Sequence, residues 1–184
     1  MRIIAGGARG TRLKMVPGKH VRPTADRVKE SLFSVIGPFF DGGKGLDLFA
    51  GTGALGLEAL SRGMDHVTFV DDARASVDTI KENLGLTKMA DRATLIKRDA
   101  RTYVKTLADQ ARYAVIFLDP PYHEGFYESI LTYIGEKELL TDEGTLVVEH
   151  PSKLEMPSIV AGLSAYRQLS YGDTAITLYE YSQT

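Results

Sequence analysis

Leu46-Asp47-Leu48-Phe49-Ala50-Gly51-Thr52-Gly53-Ala54-Leu55-Gly56 decides the fold. The short apolar run reads as a buried strand, and the glycines that follow it open a helix reaching about Arg62-Gly63. In that strand-to-helix position, G-x-G-x-x-G is a nucleotide-binding pattern. Its first glycine permits a tight turn, its second admits a ligand close to the backbone, and its third lets helix and sheet pack closely. Asp71 follows Gly51 by 20 residues and closes the next apolar run, His66 to Asp71, where an acid accepts hydrogen bonds from ribose hydroxyls. An S-adenosylmethionine enzyme and an NAD enzyme both need this arrangement, so the glycine loop alone leaves the chemistry open.

Outward from this unit the strand-then-helix pattern repeats. Ala73 to Leu86 reads as a helix, Ala93 to Arg98 as a strand, Arg101 to Ala108 as a short helix and Ala114 to Asp119 as a strand. A helix near Phe126 to Gly135 leads to a fifth strand, Gly144 to Glu149. Tyr166 to Tyr181 turns at Tyr171-Gly172-Asp173-Thr174 into two antiparallel strands. Alternating βα units imply an α/β sheet with ligands at the carboxyl ends of its strands, where Asp47 to Gly51, Asp71, Asp99 and Asp119 would gather. Towards the N-terminus, residues 1 to 16 alternate loosely around Gly6-Gly7 and Gly10 and suggest a hairpin. Pro23-Thr24 then starts a helix that Gly37-Pro38 stops, with Thr24 able to cap it.

Asp119-Pro120-Pro121-Tyr122 ends the run Ala114-Val115-Ile116-Phe117-Leu118. Two prolines have no N–H to donate and a fixed φ, so the backbone is stiff and offers bare carbonyl acceptors. The Asp119 carboxylate adds an acceptor, and the Tyr122 ring adds a surface on which a base can stack. Such a corner suits an NH2 group, whose two hydrogens are accepted while its lone pair faces an electrophile. The plainer alternative is a Pro-Pro pair that merely ends a strand. Asp99, after Leu95-Ile96-Lys97-Arg98, can accept from an adenine amino group, although Asp71, Asp72 and Asp99 each have a plainer alternative as the cap of a following helix, a stronger one for Asp72 and Asp99 than for Asp71. A rigid carbonyl-rich corner has no clear use in hydride transfer and an evident one in amine methylation.

The composition narrows the setting. With 184 residues, 43% of them hydrophobic, the chain suffices for one well-filled core. No apolar stretch approaches a membrane span, and Met1-Arg2-Ile3-Ile4-Ala5-Gly6-Gly7 lacks the core of a secretory signal. Zero cysteines exclude disulfides and thiolate sites, and the four histidines show no paired ligand spacing, so a cytoplasmic protein with no metal is expected. The net charge of −2 conceals a polarity: residues 1 to 29 hold eight Lys/Arg against one acid, and the remainder holds fourteen against twenty-three. A basic arm on an acidic body suits a polyanion, unless it is simply a solvated tail.

Nearly the whole chain resembles the bacterial 16S ribosomal RNA guanine-N2 methyltransferases that modify guanine 966 of the small subunit. The resemblance is carried by Arg2-Ile3-Ile4-Ala5-Gly6-Gly7 with Arg9-Gly10, Arg22-Pro23-Thr24 with Asp26-Arg27-Val28-Lys29-Glu30, the segment Asp47 to Ala59, and Asp119-Pro120-Pro121-Tyr122. It implies a Rossmann-like class I methyltransferase fold with a seven-stranded, mostly parallel sheet and an antiparallel last strand. It also implies S-adenosylmethionine as donor, and 16S rRNA or the small subunit as partner of a monomer. An N-terminal arm over residues 1–22 would contact RNA ahead of a catalytic domain over 23–184.

Carried over by position, Gly51, Gly53 and Asp71 would bind the donor and Asp99 its adenine, with Asp47, Ala50, Leu55, Asp72 and Ala100 completing that site. Asp119, Pro120, Pro121 and Tyr122 would hold the guanine. Arg22, Thr24 and Arg27 would line the same cleft, and Arg2, Arg9 and Arg12 would meet RNA from the arm. Asp71 stands where glutamate is usual in such enzymes. Glu149 and the Gly172-Asp173-Thr174 turn also resemble family positions, with no chemistry attached to them. Three other readings remain open at this point: an adenine or cytosine amino-methyltransferase acting on DNA or RNA, a nicotinamide-dependent oxidoreductase, and a noncatalytic RNA-binding module.

Overall fold

A computed structural model of the chain describes residues 1–18, 26–108, 111–121 and 125–183. Five helices are described: α1 (Asp26–Ile36), α2 (Ala54–Ser61), α3 (Arg74–Thr87), α4 (Ala100–Val104) and α5 (Gly125–Glu136). The strands are β1 (Lys44–Leu48), β2 (His66–Asp71), β3 (Ala93–Lys97), β4 (Tyr113–Leu118), β5 (Leu140–Pro151), β6 (Ile159–Val160), β7 (Leu163–Tyr171) and β8 (Thr174–Tyr181). They form one sheet in the order β3-β2-β1-β4-β5-β8-β7-β6. β1 to β5 are parallel, and β8 inserts antiparallel between β5 and β7. This is the Rossmann-like sheet with an antiparallel last strand expected from the sequence, extended at its far edge by the two-residue β6.

Both sheet faces are covered, and strand alternation divides the core. Phe69, Val115, Phe117, Val147, Ile176 and Leu178 join one apolar cluster with α1, α2 and α3. Leu46, Leu48, Ile116, Leu118, Leu146 and Val148 point the other way, against α4 and α5. α2 is buried along almost its whole length, which explains its run of Ala, Leu and Gly with little polar face. α3 ends where Lys88 takes a left-handed conformation and the Met89 N–H donates back to the Leu84 carbonyl.

The N-terminal arm is a short antiparallel hairpin. Ile3 N–H donates to the Thr11 carbonyl, Gly10 N–H to that of Ile3 and Leu13 N–H to that of Met1. The arm is part of the body: Ile3, Ala8 and Leu13 are buried in the α1–α3 cluster. The expected boundary between residues 22 and 23 lies outside the described residues.

Candidate active site

The glycine loop forms because β1 ends against a turn that L-side chains resist. Gly51 has φ +59° and Gly53 φ +81°. Of the three glycines, the second serves a different end from the one the pattern suggests. A Cβ on Gly51 would meet nothing within 4 Å, so the loop presents its open face there. On Gly53 it would press on Ile80, Leu57 and Phe69 at 3.3 to 3.4 Å, so the second glycine fits the loop to the protein rather than to a ligand. On Gly56 it would stand 2.4 Å from the Phe69 ring and 3.0 Å from Asp47 Oδ2, which bears out the third glycine's role in close packing.

Two carboxylates brace this loop. Asp47, 2% exposed, accepts the Gly56 N–H on Oδ2 at 3.1 Å and so ties β1 to the first turn of α2. Burial pushes its carboxyl well above the usual range, opposed by the Gly56 hydrogen bond and reinforced by the nearby Asp71 charge. Asp71 accepts the Gly51 N–H on Oδ2 at 2.9 Å and the Ala73 N–H on Oδ1 at 3.0 Å. Each oxygen keeps a second lone pair, and the residue is half-buried, so hydroxyls of a nucleoside can still be accepted. An open glycine face beside a half-exposed carboxylate fits a nucleoside donor.

The other candidate donor residues are dispersed. Ala50 sits at the strand crossing, its N–H donating to the Val70 carbonyl and its own carbonyl accepting from Gly53 N–H. Leu55 packs on the α1–α3 cluster and Asp72 is exposed. Asp99 caps α4, accepting the Arg101 and Thr102 N–H groups on Oδ1 at 2.8 and 3.2 Å, and Oδ2 lies 3.5 Å from the Arg101 guanidinium. That cap is the alternative the sequence offered for Asp99. Ala100 is buried in the α4–α5 core.

Asp119 follows β4 directly, where Leu118 pairs with Leu48 of β1 on one side and Val148 of β5 on the other. It therefore lies at the carboxyl end of the sheet beside the glycine loop. It is half-buried, Pro120 is buried and Pro121 exposed, while Tyr122 lies outside the described residues. Withdrawal from water holds the Asp119 carboxyl well above the usual carboxylate range, and the neighbouring Glu149 and then Asp47 push it the same way. Glu149 thus belongs to the site, and sequence reasoning attached no chemistry to it. The available signal was its place next after the strand Leu146-Val147-Val148, adjacent to the strand that Asp119 ends.

Arg2, Arg9, Arg12 and Arg27 are all exposed, and Arg2 also leans on Asp26, its backbone N–H donating to Oδ1 at 3.3 Å. Arg2, Arg9, Gly10, Asp26 and Glu30 line a cavity of about 260 Å³ at the arm. Arg22 and Thr24 lie outside the described residues. The arm is anchored by Glu58 of α2, whose carboxylate accepts the Ile4 and Ala5 N–H groups at 2.9 and 3.1 Å. Lys29 of α1 and Arg62 pair with the same carboxylate at 3.3 and 2.7 Å. A lone acid in an otherwise apolar helix, as Glu58 is, signals such a buried partner.

Fold and site together define a Rossmann-like methyltransferase. Residues 1–180 match the family model described as Conserved hypothetical protein 95. The chain is 44% identical over 181 residues to the Bacillus subtilis (strain 168) protein YlbH, covering 98% of each, and that protein's name carries rRNA methyltransferase as a provisional assignment. It is 33% identical over 180 residues to the Ribosomal RNA small subunit methyltransferase D of Escherichia coli (strain K12), covering 98% of this chain and 89% of that one. The solved E. coli structure YhhF, provisionally titled a methyltransferase, aligns with a TM-score of 0.85 at 34% identity over 98% of this chain and 97% of that one. The chain belongs to this methyltransferase family, as its sequence resemblance implied, and the nicotinamide reading falls away.

Proposed function

We propose that the protein transfers a methyl group from S-adenosylmethionine to the exocyclic N2 amine of a guanine in 16S ribosomal RNA. The observation that carries this is the placement of Asp119 and the buried Pro120 at the carboxyl end of β4, one strand from the glycine loop that follows β1. S-adenosylmethionine, when bound, supplies an electrophilic methyl on a sulfonium. Gly51 and Asp71 would hold its nucleoside, and the rigid corner would hold the amine.

A base amine is a weak nucleophile because its lone pair is delocalised into the ring. Asp119 and the Pro120 carbonyl accept hydrogen bonds from its two hydrogens, favour a pyramidal nitrogen and stabilise the positive charge that grows there, while S-adenosylhomocysteine would leave and the acidified N–H would lose its proton to water. Positioning supplies much of the remaining rate. The target base must leave its stack to reach such a corner. The exposed Arg9, Arg12 and Arg27 would take RNA phosphates beside it. The protein would work as a monomer in the cytoplasm. Among the described residues no helix is long and apolar enough to cross a membrane.

The test is incorporation of labelled methyl into small subunits that lack the modification. N2-methylguanosine in nuclease-digested RNA is expected. Label on a ring nitrogen, on adenine or cytosine, or in DNA would overturn the reading.

A further inference from the structure

β4 and β5 run in parallel with Phe117 beside Val147 and Leu118 beside Val148, so the next residues along, Asp119 and Glu149, lie side by side. Alternation aims both at the face of Phe117 and Val147, which is also the face of Asp47. The two carboxyl groups are within hydrogen-bonding reach of each other. Two ionised carboxylates in that contact repel each other, which is one reason the Asp119 carboxyl is held above the usual range. Tyr127 fixes the strand at this point, its hydroxyl donating to the Glu149 carbonyl at 3.2 Å. Among the described residues no lysine or arginine forms an ion pair with either group.

Resting on the guanine-N2 reading above, we propose that Glu149 selects guanine by accepting the N1–H that neighbours the reacting amine. Guanine offers two adjacent donors on its Watson–Crick edge, N1–H and N2–H2, and a pair of adjacent carboxyl groups offers matching acceptors: Asp119 for N2–H, Glu149 for N1–H. Adenine and cytosine place their amine beside a ring nitrogen that is itself an acceptor, and a carboxylate oxygen repels it. A proton on Asp119 does not rescue these bases: it is held against Glu149, and turning it towards the ring nitrogen would leave the oxygens of the two groups facing each other with no hydrogen between them. A site built to receive a hydrogen-bond donor rejects an analogue lacking it strongly, because its own acceptor is then left unpaired.

The test uses small subunits reconstituted with RNA in which the methylated guanosine, located first by mapping, is replaced by 2-aminopurine. That base keeps the N2 amine, has no hydrogen on N1 and also lacks O6. The wild-type enzyme is expected to prefer guanosine by about a hundredfold or more. Glu149→Gln, whose amide can either donate or accept, is expected to lower that ratio at least about tenfold, and Glu149→Ala to lower it as well. Loss of O6 affects all three proteins alike, so the change in ratio isolates N1.

An unchanged ratio in both variants would overturn the proposal. So would a wild-type ratio near one, a measurement that needs no variant to fold. Failure of the wild-type enzyme to methylate guanine N2 in ordinary subunits would instead overturn the function proposed above.

Discussion

Lys29 and Glu58 face each other at 3.3 Å with both side chains fully buried, one on the helix before the sheet and the other on the helix that leaves the glycine loop. The same Glu58 carboxylate holds the backbone of the arm, and Lys29 Nζ also donates to the Arg2 carbonyl at 2.6 Å. The N-terminal arm and the helix that leaves the glycine loop are therefore held together by this carboxylate. Removing one member of a buried pair leaves an uncompensated charge, so Glu58→Gln should cost about 3–5 kcal/mol in a denaturation experiment. A loss below about 1 kcal/mol, the range of surface ion pairs, would show that this carboxylate does not hold the arm.

Asn83 makes a second connection. Its amide donates to the Lys14 and Thr52 carbonyls at 3.1 and 2.9 Å and its Oδ1 accepts the Lys14 N–H at 2.7 Å. Asn83→Ala strands these buried groups and should cost about 1–3 kcal/mol. Because Thr52 lies in the glycine loop, S-adenosylhomocysteine affinity measured by calorimetry should fall as well.

Asp119→Asn should lower turnover by about a hundredfold or more while donor affinity stays within a few-fold, since the carboxylate is assigned to the amine. Single-turnover rates and calorimetry separate the two quantities. The third sequence reading, a noncatalytic module, requires that the substitution change nothing.

The same residue sets a pH dependence of stability. The Asp119 carboxyl is raised in the folded protein, with Glu149 and Asp47 as the charged groups facing it, so the folded state binds this proton more tightly than the unfolded chain does. Stability from this group is complete below the ordinary carboxylate range and is lost as pH rises through the raised value. Asp119→Asn, which cannot ionise, should gain thermal stability over the wild type as pH rises from about 4 towards 8, given the ordinary Asp value near 3.9. An equal melting temperature at both ends would contradict the buried carboxyl.

Replacing Arg9 and Arg12 with Gln should weaken RNA binding and reduce its salt dependence, by about 0.7 in log–log slope for each single-strand phosphate no longer neutralised. Donor affinity should not move. Filter binding across a salt series checks the first statement and calorimetry the second.

Legibility differed by element. The inner parallel strands were readable because they are buried on both faces and so appear as largely apolar runs, as in Ala114 to Leu118. The helices between them were readable from their spacing and from the turns that end them. Asp119 and the glycine loop announced themselves because Pro-Pro and Gly-x-Gly constrain the backbone locally. Glu58 stood out as a lone acid in an apolar helix, and Glu149 followed an apolar strand, but neither their partners nor those of Asn83 could be read from neighbouring residues. Their roles depend on groups far away in the chain, such as Asp119 for Glu149 and Lys14, 69 residues earlier, for Asn83.

By itself the sequence determined the sheet with its helices, the glycine loop, the Asp-Pro-Pro corner and the basic arm, because each is written in the backbone preferences and burial of consecutive residues. The tertiary structure decided how these parts work on one another. Only strand register brings Glu149 beside Asp119, and only packing turns the second glycine inward and the first outward. Only the folded chain brings the Glu58 carboxylate and Ser61 of α2 against the backbone of the arm. Hydrogen bonds and shared protons need atoms a few ångströms apart, and that proximity comes from the folded sheet rather than from order along the chain.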